Sequence, residues 1–138
     1  MSHVQLMKDL YAAFARGDVA AVLSAFDAQI EWREAESHPY QPSGKPWIGP
    51  DAIVQNLFMR LGGEWDGFQV HPQSFHDAGG TVVVEGRYSG TYKATRKKLD
   101  AQMCHVWKFR GGKIVSFQQY MDTAQMQSVM GVPQNARN

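Results

Sequence analysis

Apolar residues in the first 26 positions recur at steps of three and four: Leu6, Leu10 and Phe14, then Val19, Val22, Leu23 and Phe26. That period predicts two helices, broken at Gly17-Asp18, with Asp18 placed to cap the second. From Gln29 to Glu34 the period falls to two. Ile30, Trp32 and Glu34 take one face and Gln29, Glu31 and Arg33 the other, which predicts a short strand. Residues 35 to 50 contain Pro39, Pro42, Pro46 and Pro50 with Gly44 and Gly49, a composition that excludes regular structure and predicts a long loop. Ordered loops of this length often act as lids or binding loops.

A third helix is predicted from Ile53, Val54, Leu57, Phe58 and Leu61, with Pro50 near its start and Gly62-Gly63 past its end. The period then changes again. Four strands, about 67 to 77, 81 to 92, 98 to 110 and 113 to 121, are separated by Gly79-Gly80, a Lys-rich turn and Gly111-Gly112, the pattern of an antiparallel meander. A last helix should run from Thr123 to Met130 and stop at Gly131, leaving 132 to 138 as a frayed tail. The pattern describes one α+β domain over residues 1 to 138.

Composition narrows the function classes. Hydrophobic residues are 43% and charged residues 20% of the chain, ordinary usage for a folded domain. Fourteen Lys and Arg against 13 Asp and Glu leave a net charge of +1, so no field draws in a polyanion and nucleic acid is not an expected partner. The basic cluster of Lys93, Arg96, Lys97 and Lys98 reads as a solvated turn. No apolar run approaches the ~20 residues of a membrane span, and the N-terminus lacks the apolar core of a signal peptide. The expectation is a cytoplasmic protein with no membrane partner. Cys104 is the lone cysteine and cannot form an internal disulfide. Glu34 and Glu36 are two carboxylates without a definite histidine partner, so neither a metal nor another cofactor is expected.

The meander also predicts which side chains share a face. A two-residue loop at Gly111-Gly112 sets Arg110 opposite Lys113, His105 opposite Gln118, Met103 opposite Tyr120 and Ala101 opposite Asp122. Alternation then gathers Met103, His105, Trp107 and Phe109 with Ile114, Gln118, Tyr120 and Asp122. A bulge near the turn would send the last strand's residues to the other face. Pairing Tyr92 with Leu99 adds Val84, Gly86, Tyr88 and Tyr92 to the His105 side. Both faces carry apolar residues, as in a curved sheet with helices on one side and a partner subunit on the other.

Three segments carry a resemblance: YAAFARGDVAAVLSAFDAQIEW (11 to 32), GPDAI (49 to 53) and HVWKFRGGKIVSFQQYMDT (105 to 123). With the order of elements, they make the chain resemble the NTF2-like superfamily, and within it the SnoaL-like group that includes polyketide cyclases and relatives of ketosteroid isomerase. The resemblance spans about residues 5 to 131. It implies an α+β cone in which a curved sheet wraps the helices around a deep, largely apolar pocket, commonly with homodimerisation through the outer face. In SnoaL-like cyclases an acid/base aspartate lies eight residues after the Ile of Gly-Lys-Ile, here Asp122. The ketosteroid isomerase pattern is broken: Ile30-Glu31 is followed by Trp32 instead of aspartate. The first-helix tyrosine of that pattern falls on Leu10, with Tyr11 one position off and expected to point elsewhere.

The candidate chemistry follows. A carboxyl in an apolar pocket titrates closer to neutrality and can exchange protons there. Asp122 suits that role among Tyr120, Trp107 and Met103; equally, it can cap the last helix. Glu34, on the Trp32 face, is a substitute carboxylate. His105 is a second acid/base candidate or a partly buried histidine bonded to Gln118 or Tyr88. It stands four residues from Ala101, or about 13 Å of strand, so it should meet the opposite end of a ligand from Asp122. Trp32, Tyr88, Trp107 and Tyr120 make a wall for a flat hydrophobic ligand or serve as core aromatics. His38 and Tyr40, in the Pro-rich loop, either close over the mouth or belong to a solvated loop. The expectations are acid/base chemistry on a hydrophobic carbonyl compound, a non-catalytic binder of a small hydrophobic molecule, or a dimeric interaction domain.

Overall fold

The computed structural model describes residues 2–133. Ser2 opens α1 (His3–Ala15) by accepting the Gln5 N–H on its hydroxyl, and Asp18 caps α2 (Val19–Ser24) through the Ala21 N–H, as its position predicts. Next come β1 (Phe26–Arg33) and β2 (Trp47–Ile48), then one continuous helix made of α3 (Pro50–Ile53), a π-helical segment (Val54–Phe58) and α4 (Met59–Glu64). The meander is β3 (Trp65–Asp77), β4 (Thr81–Tyr92), β5 (Lys98–Arg110) and β6 (Lys113–Met121), followed by α5 (Thr123–Val129). The strands form one six-stranded sheet in the order β2-β1-β6-β5-β4-β3. Among the described residues no helix is long and apolar enough to cross a membrane.

Two boundaries differ from the sequence pattern. The Pro-rich loop is interrupted by β2, which pairs antiparallel with β1 through Glu31–Ile48 and Trp32–Trp47. An edge strand of two residues fits between Pro46 and Pro50 without either ring blocking a needed N–H. Gly62 and Gly63 lie inside the last turn of α4, which ends where Trp65 turns extended. Of the expected frayed tail, residues 134 to 138 lie outside the described residues.

The β4–β5 register is two residues from the predicted one: Val84 faces His105 and Tyr88 faces Ala101. An even slip keeps every side chain on its face. Between β5 and β6 the pairing starts as predicted, with Arg110 opposite Lys113 and Phe109 opposite Ile114, and then shifts by one. Val115 is the extra residue, and beyond it Trp107 faces Phe117, His105 faces Gln119 and Cys104 faces Tyr120. The reason is burial: Ile114 and Phe117, three apart, are both in the core at 0% and 1% exposure. An unbroken strand would put one of them outside. Gln118 and Tyr120 therefore leave the inner face, and Tyr120 is 57% exposed.

A second bulge, at Gln73 in β3, lies between Pro72–Gly86 and Ser74–Glu85. It brings the His71 carbonyl over Gly86, where an added Cβ would stand 2.2 Å from the oxygen and 2.8 Å from the Met103 Cε. The backbone cannot yield as a side chain can. Gly86→Ala should destabilise the protein by about 3 kcal/mol, the upper end of overpacking costs, read as a lower urea midpoint with an unchanged slope.

Two apolar clusters fill the space beneath the sheet. The larger joins Met7, Leu10 and Tyr11 of α1 to Ile30, Trp32, Val84, Trp107 and Phe117, and the smaller joins Trp65, Tyr88, Leu99, Met103, Met126 and Val129.

Candidate functional site

A cavity opens where the two clusters meet, about 60 Å³ as traced by the centre of a water molecule. That is room for more than one water. Aromatic and aliphatic side chains make most of its wall, among them Phe14, Phe26, Trp32, Phe58, Trp107 and Phe117. The π-helical segment contributes Leu57 and Phe58. Its polar lining is Glu34, His38, Tyr11, Tyr88, His105 and Gln119.

Glu34 follows β1, where the strand runs into the Pro-rich loop. Three glutamine side chains fix the backbone there. Gln41 donates to the Trp32 carbonyl at 3.1 Å and accepts the Glu34 N–H at 3.0 Å, so that one amide completes the ladder a neighbouring strand would supply. Gln119 accepts the Ala35 N–H at 3.1 Å, and Gln127 of α5 donates to the Ser37 carbonyl at 2.9 Å. With the chain so held, the Glu34 side chain is 5% exposed and neither carboxyl oxygen has a hydrogen-bond partner. Burial pushes its pKa up from 4.5 to about 8. The nearby Trp32 indole N–H pulls the other way, yet it too falls short of a hydrogen bond.

A chain of hydrogen bonds runs through other residues of the same cavity. The Trp107 indole N–H donates to the Tyr11 hydroxyl oxygen at 2.9 Å, that hydroxyl meets His105 Nδ1 at 2.5 Å, and His105 Nε2 is bonded to the Tyr88 hydroxyl. Gln119 Nε2 donates to the same Tyr88 oxygen at 2.9 Å. Burial lowers the His105 pKa to about 3, so the ring is neutral near pH 7. Burial, and after it the charge of Glu34, raises Tyr88 well above the ordinary tyrosine value. Burial also raises Tyr11. His38, 2% exposed, accepts the Tyr40 N–H on Nδ1 at 3.0 Å, which places its own proton on Nε2. Burial first, and the Arg60 charge second, lower its pKa to about 4.

Of the sequence candidates, the structure brings Glu34, His105, Trp32, Tyr88, Trp107 and His38 to this cavity. The rest lie elsewhere. Asp122 is the N-cap of α5: it is exposed, and its Oδ1 accepts the Gln125 N–H at 3.0 Å, so the capping alternative prevails over the inward one. Such a cap contributes about 1 kcal/mol to stability. Tyr120 and Gln118 were turned outward by the Val115 bulge. Met103 is buried on the predicted face but in the smaller cluster, beyond the cavity wall. Tyr40 is an anchor for the loop: its hydroxyl donates to Glu64 Oε1 at 2.7 Å, the Trp65 indole donates to its oxygen at 3.0 Å, and the Arg60 guanidinium lies 3.9 Å above its ring.

Tyr11 and Gln119 belong to the site and were not among the candidates. Tyr11 was expected to point away, yet Met7, Leu10, Tyr11 and Phe14 recur at the spacing of one helix face, and that face covers the cavity. Gln119 could have been found from the spacing of Ile114 and Phe117, which demands a bulge and turns Gln119 inward.

Residues 7–117 match the SnoaL-like domain family. The chain belongs to the SnoaL-like family. An NTF2-like protein of Burkholderia thailandensis is similar to this SnoaL-like chain at 42% identity, over 92% of this chain and 95% of its own, with a TM-score of 0.86. Another, from Burkholderia pseudomallei and of unknown function, shares 25% identity over 94% and 98% of the two chains with a TM-score of 0.83. IdmH of Streptomyces antibioticus, described as a candidate polyketide cyclase, shares the fold at 18% identity, with 93% and 97% covered and a TM-score of 0.75. No functionally curated protein matches the SnoaL-like chain significantly.

Proposed function

We propose that this SnoaL-like protein binds a small hydrophobic carbonyl compound in the cavity and moves a proton on it without a cofactor. The observation that carries this reading is Glu34: a carboxyl fully buried among aromatic rings, with both oxygens unpartnered and a pKa of about 8. A base is most effective when its pKa lies near the working pH. In its carboxylate form Glu34 takes the proton from the carbon beside the carbonyl. The electron pair of that C–H bond becomes a C=C bond as the carbonyl π pair moves onto the oxygen, and a tyrosine hydroxyl stabilises the resulting enolate by hydrogen bonding. Returning the proton at another carbon completes an isomerisation; attack by the enolate carbon on a second carbonyl, with the Glu34 proton passing to the alkoxide so formed, completes a cyclisation. Asp122, at the cap of α5, has no part in these steps.

A panel of aromatic and alicyclic ketones in D2O tests the reading by hydrogen exchange beside the carbonyl. The wild type and Asp122→Asn should catalyse exchange of at least one ketone at equal rates, while Glu34→Gln should lose about 10²-fold or more, the usual worth of a positioned base. Equal rates for wild type and Glu34→Gln would remove Glu34 from the mechanism. If the ketones bind but never exchange, the cavity is a binding site only, which is the second reading. The proposal includes a cytoplasmic homodimer. Its support is the outer sheet face, where Tyr120 is exposed beside a groove lined by Gln73, Arg87, Gln102 and Cys104.

A further inference from the structure

The hydrogens of the Tyr11–His105–Tyr88 chain can be counted. A neutral imidazole has one N–H and one bare nitrogen, so one tyrosine donates to it and the other accepts from it. Both tyrosine oxygens already accept another bond, Tyr11 from the Trp107 indole and Tyr88 from Gln119. The Gln119 amide cannot be reversed, because its oxygen holds the Ala35 N–H. Whichever tyrosine accepts from the ring therefore keeps an O–H that nothing in the chain consumes.

The surroundings decide which one it is. The Tyr11 hydroxyl has two partners, the Trp107 N–H and His105 Nδ1, and only the nitrogen can accept its hydrogen. Tyr88 has an alternative. It lines the same cavity as Glu34, the two are not hydrogen-bonded, and both Glu34 oxygens are unpartnered. An O–H freed from the ring on Tyr88 has this cavity to point into.

We propose that His105 carries its proton on Nε2 and is a positioning residue that turns the Tyr88 O–H into the cavity, where it holds a ligand carbonyl oxygen and leaves the neighbouring carbon to the Glu34 carboxylate. Tyr11 donates to Nδ1, Nε2–H donates to the Tyr88 oxygen, and the Tyr88 hydrogen is presented to the ligand. The inference rests on the proton-transfer reading for the identity of that ligand, and not for the tautomer.

Two measurements test it separately. Nitrogen-15 long-range spectra of the free protein should show His105 Nδ1 bare and Nε2 protonated, unchanged across the neutral range. A protonated Nδ1, or a ring that gains a second proton in that range, overturns the proposal. With acetophenone labelled at its carbonyl carbon, the bound wild type should show a downfield shift that Tyr88→Phe loses. If acetophenone still binds Tyr88→Phe with the shift intact, Tyr88 does not hold the ligand oxygen. Should acetophenone fail to bind the wild type, the carbonyl-ligand reading falls, and the nitrogen spectra still decide the tautomer.

Discussion

Glu34→Gln should make the protein more stable at pH 8 than the wild type, by on the order of 4 kcal/mol. The sign follows from the raised pKa. In the unfolded chain Glu34 loses its proton near pH 4.5, whereas in the fold it keeps it until about pH 8. Between those values the native state binds one more proton than the unfolded state, so stability falls as pH rises, by about 1.4 kcal/mol per pH unit. Glutamine has nearly the shape of the protonated acid and no such slope. The two proteins should therefore unfold alike below pH 4.5 and diverge steadily above it, as urea titrations across the pH range would show. Parallel curves would mean that the folded carboxyl is not held in its neutral form. The same variant should be the inactive one in the exchange assay, so function and stability are predicted to move in opposite directions at one residue, as at strained functional sites generally.

Acid should unfold the protein through its two buried histidines. His105 and His38 have pKa values lowered from 6.5 to about 3 and about 4. Below pH 6.5 the unfolded chain takes up two protons that the fold refuses, and the stability present above that pH is lost as the solution is acidified. Each histidine contributes about 1.4 kcal/mol per pH unit in this window, and His105 alone accounts for on the order of 4 kcal/mol by pH 3. Glu34 has the opposite slope above pH 4.5. One descending contribution against two rising ones places the stability maximum near pH 6.5, with losses on both sides. Melting temperatures across pH 3 to 9 check the shape, and His105→Gln should flatten only the acid limb. A maximum far above pH 7 would show that Glu34 is not held neutral in the fold.

Most of the fold could be read from local pattern, since the elements declare themselves by period and the glycine turns by composition. The faces of β4 and β5 were also legible, and they survived a wrong register because the slip was even. What the pattern did not disclose was the Val115 bulge, and one residue of displacement exchanged Gln118 and Tyr120 for Phe117 and Gln119. Asp122 was ambiguous for a different reason: a carboxylate before a helix is a good cap and a good acid, and only its orientation separates the two. Glu34 was on the correct face from the alternation of β1 alone. Its burial was not legible, because it depends on glutamines from three separate segments that no local period connects.

Those glutamines set the wall that carries Glu34 and His38 apart from the rest of the cavity. Backbone ladders between β3, β4, β5 and β6 cannot be altered at one rung without disturbing the next. Past the end of β1, Glu34, Ala35 and Ser37 are tied by glutamine side chains, each of which can be exchanged singly. The molecule thus joins an invariant frame to a rim that substitution can reshape stepwise, and new ligand preferences could arise at Gln41, Gln119 or Gln127 while the sheet stays as it is.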